Sequence, residues 1–436
     1  MFGYFKRQGA FVEGNSIHLM ENGEKFFPQL IRRIKHAKCE VFLETFILEN
    51  DRIGRAIKRA ILLARKRGAW VSLTVDSWGS HYLDPEFIEE LTAAGVVFQI
   101  YDPQPSWYKG RPKLFRRLHR KLVCVDGKYA MIGGINYCND HMVTSGPGAK
   151  QDYAVELQGP IIASIRQLCK SYVRDARDER LKEVEVWPPE RQDRGHKISF
   201  ISRDNRHNRR RIEKAYLTAI AQAKTRIWIA NAYFFPSYRF VRALIKAQQR
   251  GVDVRLVIQG DPDIPFSLSV ARALYDLILR NKIKLYEFRE RPLHAKIAVV
   301  DDHWSTIGSS NLDPLSLAFN LEANILVKSK EFNKELARKI DNLVSRSVPI
   351  EQSWVKHRRW YWLVKDFFTF HVLRWFPTIS GLFPAHTPLI RELKRDHDTG
   401  NGRSKDSELD RKFPESKGAK RVVNTTEYLS KEEIEL

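Results

Sequence analysis

An internal duplication limits this chain to folds built from two similar halves. One β-rich run begins at Ala37 and a second begins at Ala223, 186 positions later. Each run is followed by a helical stretch ending in Arg-Gly, then by an apolar strand, a second helical segment and another strand. This alternation predicts an α/β fold of two duplicated halves, each with a mainly parallel mixed sheet flanked by helices.

Each half also carries one copy of the pattern H-x-K-x4-D-x6-G-[GS]-x-N. The first copy contains His119, Lys121, Asp126 and Asn136, and the second contains His294, Lys296, Asp301 and Asn311. Residues i and i+2 of a strand share a face, so the His and Lys of each copy point the same way. Small residues before each Asn let the backbone approach a bulky group closely. One H-x-K could be a basic strand face, but two extended copies indicate a chemical site.

The paired motif resembles that of the phospholipase D superfamily, and the resemblance covers roughly residues 10 to 345. Further segments resemble the B-type cardiolipin synthases of bacteria. These segments are Gln151 to Val155, Ala230 to Pro236, Arg291 to Leu293 and Gly308 to Ser316. The resemblance implies two phospholipase D-like lobes with one active site shared at a pseudo-two-fold interface.

Displacing an alcohol from a phosphodiester needs a nucleophile, a proton donor and positive charge around the phosphoryl oxygens. Two imidazoles, two ammoniums and two amides supply this set without a metal or another cofactor. The resemblance implies a phosphohistidine on His119 and acid–base catalysis by His294, although the residues themselves do not distinguish the two. The phosphate would be held by Lys121, Lys296, Asn136 and Asn311.

The carboxylates of the motif region have two predicted roles. A nucleophilic histidine needs an acceptor for its other ring nitrogen. The resemblance implies that Asp152 and Glu322 are these acceptors, although both could be ordinary carboxylates at strand ends. Asp126 and Asp301 follow apolar strands at a turn, so we expect them to hold the fold rather than touch substrate.

The net charge and the hydropathy of the chain indicate what class of partner it binds and how it meets a membrane. Lys and Arg number 74 against 52 Asp and Glu, and the net charge of +22 predicts a polyanionic partner. The residues from Arg391 onward are neutral in sum, so the earlier part carries this excess. We find no secretory signal and no apolar run long enough to span a bilayer. We therefore expect a peripheral protein on the cytoplasmic side of the inner membrane.

Two basic, aromatic segments are candidates for substrate contact. The segment from Trp354 to Ile390 suits the interface of an anionic bilayer, or a helix covering the second half. The segment from Trp107 to Arg117 could grip lipid headgroups, stack on single-stranded nucleic acid, or form a solvated loop. Neither segment alone decides the substrate class.

The resemblance favours a cardiolipin synthase that transfers a phosphatidyl group to phosphatidylglycerol and releases glycerol or another headgroup alcohol. It favours phospholipid and an anionic membrane surface as partners over nucleic acid. A metal-independent nuclease is the rival enzyme, and its binding would weaken steeply with salt. A non-catalytic membrane scaffold is a third hypothesis, against which both intact motifs count. The residues do not indicate an oligomeric state.

Composition places the boundaries between these parts. We predict a first lobe over 1–185, a linker over 186–196, a second lobe over 197–350, an aromatic and basic segment over 351–390 and a disordered polar tail over 391–436. The cysteines form neither a C-x-x-C pair nor a zinc-site spacing, so we expect reduced thiols and no metal. They are Cys39, Cys124, Cys138 and Cys169.

Overall fold

The computed structural model describes most of both predicted lobes. The described residues are 9–103, 116–173, 195–205, 207–261, 272, 274–351 and 390–393. Four parts of the prediction lie outside them: residues 352–389 of the aromatic and basic segment, most of the linker, the segment from Trp107 to Phe115, and the tail beyond Leu393.

The first half alternates strands and helices in the predicted order. Its strands are β1 (Val12–Glu21), β2 (Glu40–Thr45), β3 (Trp70–Asp76), β4 (Val97–Tyr101), β5 (Leu122–Val125), β6 (Tyr129–Gly133) and β7 (Tyr153–Gln158). Its helices are α1 (Asn22–Lys35), α2 (Arg52–Lys66), α3 (Pro85–Ala93) and α4 (Ile162–Tyr172). Two short 3₁₀ helices, Asn139–His141 and Val143–Ser145, lie between β6 and β7.

The second half repeats this order. Its strands are β8 (His196–Arg203), β9 (Arg226–Asn231), β10 (Asp253–Gln259), β11 (Lys284–Phe288), β12 (Lys296–Val300), β13 (Trp304–Gly308), β14 (Glu322–Lys328) and β15 (Val348–Pro349). Its helices are α5 (Arg211–Gln222), α6 (Tyr238–Gln249), α7 (Tyr275–Arg280), α8 (Pro314–Ala318) and α9 (Lys330–Ser345). The repeat confirms the predicted pair of α/β halves.

Together with β16 (Ile390–Leu393), the described strands form one 16-stranded sheet in the order β15-β11-β10-β9-β12-β13-β14-β8-β1-β7-β6-β5-β2-β3-β4-β16. Parallel pairing is confined to β2-β3-β4 and β9-β10-β11. The other neighbouring pairs are antiparallel, so the expectation of mainly parallel sheets is wrong. After its strand–helix run, each half returns through one short hairpin, β5-β6 or β12-β13, followed by a longer connection to another antiparallel strand.

The halves join at β1 and β8, which pair antiparallel with an irregularity between Val12 and Asn15. A shared apolar core continues across this junction and is covered by α4 and α9, from Phe42 in one half to Ile297 in the other. Separate cores lie under α1 to α3 and under α5 to α7. Helices therefore cover both faces of the sheet, which is why β2 and β3 are buried along their whole lengths.

The predicted tail begins too early. Residues Ile390–Leu393 form β16, which pairs antiparallel with β4 of the first half. Leu393 packs against the apolar core of that half, and this contact explains why a short stretch of a polar region is ordered as a strand. Both halves belong to one compact unit that ends at Leu393.

Within the described ranges, no helix combines the length and the apolar character that a membrane span needs.

Candidate active site

The residues of the first motif that precede β5 form main-chain hydrogen bonds with the second half. The main-chain N–H of His119 donates to the carbonyl of Leu321 at 3.1 Å, and the N–H of Leu321 donates to the carbonyl of Arg117 at 2.8 Å. This short parallel bridge places Glu322, the next residue, beside the motif. Its Oε1 lies 2.9 Å from Nδ1 of His119.

The second motif forms the equivalent main-chain hydrogen bonds with the first half. The N–H of His294 donates to the carbonyl of Gln151, and the N–H of Gln151 donates to the carbonyl of Pro292, both at 2.8 Å. Asp152 follows, immediately before β7, and its Oδ2 lies 2.6 Å from Nδ1 of His294. Each histidine is therefore paired with a carboxylate of the other half.

This crossed pairing fixes how each imidazole is presented. A carboxylate at Nδ1 accepts a hydrogen bond from the N–H of that nitrogen. The neutral ring then carries its proton on Nδ1, and the lone pair of Nε2 is available for chemistry. The same arrangement needs both halves, because each motif histidine has its carboxylate in the other half. The two motifs consequently make one site at the interface between the halves.

The motif lysines are buried beside the histidines. Lys121 is 3% exposed and Lys296 is 1% exposed. Nζ of Lys121 donates to the carbonyl of His119 at 2.8 Å, and Nζ of Lys296 donates to the carbonyl of His294. Burial, opposed by the charge of Glu322 and reinforced by that of Lys296, lowers the pKa of Lys121 to about 7. Two ammoniums held together in this way form a strong site for an anion.

The pair formed by His119 and Glu322 keeps its carboxylate ionised. Burial would raise the pKa of Glu322, but His119 and Lys121 outweigh it and leave that pKa below its usual value. Burial also lowers the pKa of His119, with Glu322 opposing. The imidazole is therefore neutral with a charged acceptor at Nδ1, which suits a nucleophile.

The pair formed by His294 and Asp152 is poised differently. Burial raises the pKa of Asp152 to about 7, although Lys296 acts against it. Burial, reinforced by Lys296, lowers the pKa of His294 well below its usual range. This pair can therefore gain and lose a proton near neutral pH, which suits acid–base catalysis.

The motif asparagines lie just after β6 and β13, and both are buried. Oδ1 of Asn136 accepts from the N–H of Ile47 at 3.3 Å, which leaves its amide hydrogens available. Oδ1 of Asn311 has no hydrogen-bond partner in the part of the chain that the structure describes. Both side chains can thus still bind a polar group.

The small residues before each asparagine serve contacts inside the protein. A Cβ on Gly133 would lie 2.5 Å from Cα of Ala154, and one on Gly308 would lie 2.4 Å from the carbonyl oxygen of Ala323. A Cβ on Gly134 would lie 2.4 Å from Oδ1 of Asp152. The close approach expected at these positions is therefore to neighbouring strands and to the orienting carboxylate.

The motif aspartates lie at the far ends of β5 and β12, away from the histidines. Both adopt left-handed backbone angles in tight turns, which aspartate tolerates. The carboxylate of Asp126 accepts main-chain N–H groups from residues 38–40, and that of Asp301 accepts them from residues 224–226. Burial would raise the pKa of Asp301, but these donors lower it. Asp126 therefore stabilises the start of β2, and Asp301 stabilises the start of β9.

One buried histidine of the site was missed by the sequence analysis. His141 ends the first 3₁₀ helix, and its ring packs edge-on against that of His294 with centroids 5.4 Å apart. Nothing corresponding to it stands in the second motif, where Ser316 occupies the same place, so the repeat gave no signal. A histidine five positions after the motif asparagine was the available clue.

His141, Asp152 and His294 bring three potential metal-ligating atoms within 4.8 Å of one another. Their hydrogen bonds disfavour a metal ion. Nε2 of His141 accepts the N–H of Asn136 at 3.1 Å, so the proton of the neutral ring sits on Nδ1, the nitrogen nearer Asp152. A metal at Nδ1 would force a proton onto Nε2 against that N–H donor. These residues therefore fit proton transfer better than metal binding.

Comparisons with known proteins bear on the family of the chain. The family model described as "Cardiolipin synthase, PLD-like domain" matches residues 30–164 and 216–344. Cardiolipin synthase B of Shigella flexneri and that of Escherichia coli strain K12 are each 43% identical over 389 residues, spanning 87% of this chain and 93% of theirs. Cardiolipin synthase A of Pseudomonas syringae is 28% identical, over 78% of this chain and 71% of its own. These matches confirm the resemblance drawn from the paired motif.

A solved structure shares the fold. Phosphatidylserine synthase of Haemophilus influenzae Rd KW20 superposes with a TM-score of 0.62, covering 85% of this chain and 95% of its own. The sequences are only 14% identical, so this likeness concerns the fold alone.

Proposed function

Because the chain belongs to the cardiolipin synthase family with phospholipase D-like domains, we propose that it transfers a phosphatidyl group between phospholipids. Phosphatidylglycerol is the proposed donor and acceptor, and cardiolipin and glycerol are the products. The observation that carries the proposal is the crossed pairing of His119 with Glu322 and of His294 with Asp152. It offers one nucleophile and one proton carrier at a single anion-binding site.

In the first half-reaction, Nε2 of His119 attacks the phosphorus of the donor lipid. The bond from phosphorus to the glycerol oxygen breaks, and His294 delivers its Nε2 proton to that oxygen. A phosphatidyl-histidine and free glycerol result. Ionised Glu322 favours this step, because a charged acceptor at Nδ1 makes the imidazole a better nucleophile.

In the second half-reaction, a hydroxyl of a second phosphatidylglycerol replaces the departed glycerol. The now unprotonated Nε2 of His294 takes the hydroxyl proton, the oxygen attacks phosphorus, and the bond from phosphorus to His119 breaks. Cardiolipin leaves, and the proton is back on the His294–Asp152 pair. The lysines and asparagines of the motifs stabilise the phosphoryl oxygens through both steps.

A direct assay distinguishes this function from its rivals. Purified protein is incubated with labelled phosphatidylglycerol in vesicles containing EDTA, and the lipids are then separated. We expect cardiolipin and glycerol in equal amounts. Oligonucleotide cleavage without a lipid product would instead support the metal-independent nuclease, and vesicle binding without either product would support the scaffold.

We also propose a peripheral contact with the anionic surface of the inner membrane, from its cytoplasmic side. An aromatic group beside the site supports this contact. Phe46 packs against the His119 ring with centroids 5.2 Å apart, and Trp78 follows at 6.2 Å from Phe46. Trp78 is 51% exposed and Tyr82 is 78% exposed. Arg117 lies 5.5 Å from the Trp78 ring, but it is buried and faces Asp76, so it supports the ring rather than the membrane contact. Exposed aromatic side chains such as Trp78 and Tyr82 suit a bilayer interface.

Replacement of Trp78 and Tyr82 by serine tests this contact. We expect binding to vesicles that contain phosphatidylglycerol to weaken by about 10-fold or more, because exposed aromatic surface no longer enters the interface. Sedimentation with the vesicles measures it. Leu63→Ser removes an exposed apolar side chain of α2 and serves as the matched control. Equal binding by all three proteins would place the membrane contact elsewhere.

A further inference from the structure

His141 has a defined protonation state. It is fully buried, and its Nε2 accepts the main-chain N–H of Asn136 at 3.1 Å. An acceptor nitrogen carries no proton, so the proton of the neutral ring is on Nδ1. Burial, followed by the charge of Lys150, holds the pKa of His141 well below its usual range. The ring therefore stays a neutral dipole with its N–H end at Nδ1.

That N–H end faces the orienting carboxylate of the other histidine. Nδ1 of His141 lies 3.7 Å from Oδ2 of Asp152, the same oxygen that lies 2.6 Å from Nδ1 of His294. Nδ1 of His141 has no hydrogen-bond partner within the described ranges. A buried donor without a partner is costly, and here it stands next to the one carboxylate whose charge matters for His294.

In the second half, a different residue donates a hydrogen bond to the orienting carboxylate. There, the hydroxyl of Ser309 donates to Oε2 of Glu322 and supplies that carboxylate with a second donor besides His119. The corresponding residue in the first half is Gly134. Serine does not fit at that position, because its Cβ would lie 2.4 Å from Oδ1 of Asp152. In the first half, Oδ1 of Asp152 accepts the main-chain N–H of Tyr153 at 2.8 Å, so a second side-chain donor, to Oδ2, has to come from another position.

We propose that His141 is a positioning residue that supplies this second donor to Asp152 and sets the pH range in which the His294–Asp152 pair exchanges its proton. The inference rests on the proposed function. The distance of 3.7 Å is too long for a hydrogen bond in the free protein. This distance shortens when Asp152 is fully ionised beside a protonated His294, because catalytic hydrogen bonds often tighten during turnover.

Other charges act on the same pair and must be constant in any test. The groups that act on Asp152 are Lys296, Lys121 and Lys150, and the same three lysines act on His294 together with His141. None of these lysines changes in the variants below. A shift in pH dependence can then be attributed to His141.

Two substitutions separate the donor from the fold. His141→Asn keeps an N–H donor near the place of Nδ1 but loses the acceptor for the N–H of Asn136. His141→Gln keeps an acceptor near the place of Nε2 but loses the donor to Asp152. If His141 acts through Asp152, the glutamine variant should raise the pKa of the pair, because a donor to the charged form lowers the pKa of a carboxylate.

The pH profile of cardiolipin formation is the measurement. We expect both limbs of the bell-shaped profile to move up by about one pH unit in His141→Gln, with a fall in kcat of about 10-fold or more. His141→Asn should keep the wild-type profile. The opposite order, an unchanged profile for glutamine and damage for asparagine, would show that His141 only holds the Asn136 loop and would overturn the inference.

Two further readouts keep the outcomes distinct. Ser309→Ala removes the equivalent donor from Glu322, so it should slow formation of the phosphohistidine without moving the limbs that belong to the His294–Asp152 pair. If the wild-type protein forms no cardiolipin, the proposed function fails. If the wild type is active and both His141 variants keep its profile, only the role of His141 fails.

Discussion

Cardiolipin formation falls by at least about 10⁴-fold in His119→Ala and by about 10²- to 10⁴-fold in His294→Ala. The first change removes the atom that bonds to phosphorus, so no covalent intermediate can form. The second leaves the nucleophile in place but removes the proton donor, and an alkoxide of glycerol is a poor leaving group. Lipid separation after a fixed incubation measures both losses.

A donor lipid with a better leaving group separates the two roles. With a p-nitrophenyl ester in place of the glycerol headgroup, departure of p-nitrophenolate needs no proton. His294→Ala should then release about one equivalent of p-nitrophenolate in a burst and retain a phosphatidyl group on His119, because no base activates the acceptor. His119→Ala should give no burst. Mass spectrometry of a digest locates the labelled histidine.

The contrary outcomes are equally specific. A burst in His119→Ala with the label on His294 would exchange the two roles while keeping the mechanism. Substantial turnover in either alanine variant, with the natural lipid, would exclude a mechanism that needs two histidines. His36→Ala changes an exposed histidine of the first half and serves as the matched control. Thermal midpoints close to that of the wild type would show that the variants are folded.

The site was predictable from the sequence where the motif is local. The duplicated pattern places His119 beside Lys121 and His294 beside Lys296, because residues two apart in extended backbone face the same way. Order along the chain also predicted most strands and helices, since each half repeats the other. Asp126 could be separated from the catalytic groups by its position after an apolar strand.

Pairing between the halves was not predictable. Glu322 faces His119, rather than the histidine of its own half, because residues 117–119 run alongside Leu321. Such a contact depends on how the two halves dock, and no local pattern encodes that. The same limit explains β16, a strand formed by residues 390–393 only because an edge of β4 is available. The duplication did not point to His141, because the second half has no corresponding histidine.

Lys121 illustrates a conflict between stability and function at this site. Its ammonium is buried beside that of Lys296, and burial lowers its pKa to about 7. An unfolded chain would restore a pKa near 10.4. Between about pH 7 and 10.4 the unfolded state therefore binds more protons than the native state, so native stability rises with pH in that window. Below pH 7 the full penalty of the buried charge remains.

Lys121→Met should consequently stabilise the protein while disabling it. We expect the free energy of unfolding at pH 6.5 to rise by on the order of 3 kcal/mol, and the gain to shrink towards pH 10. Phosphatidyl transfer should fall by at least about 10²-fold, because one of the two charges that stabilise the phosphoryl oxygens is gone. Urea unfolding at both pH values measures the stability, with the exposed Lys66→Met as the matched control.

The sign of the change in stability decides the physical interpretation. A loss of stability in Lys121→Met at pH 6.5, greater than that in Lys66→Met, would mean that Glu322 and the His119 carbonyl compensate the buried ammonium fully. A gain confined to low pH would mean that burying the Lys121 ammonium, beside the charge of Lys296, costs the free enzyme stability. A phosphodiester anion that binds between the two lysines offsets this cost, so the stability lost in the free protein becomes affinity for the reacting group.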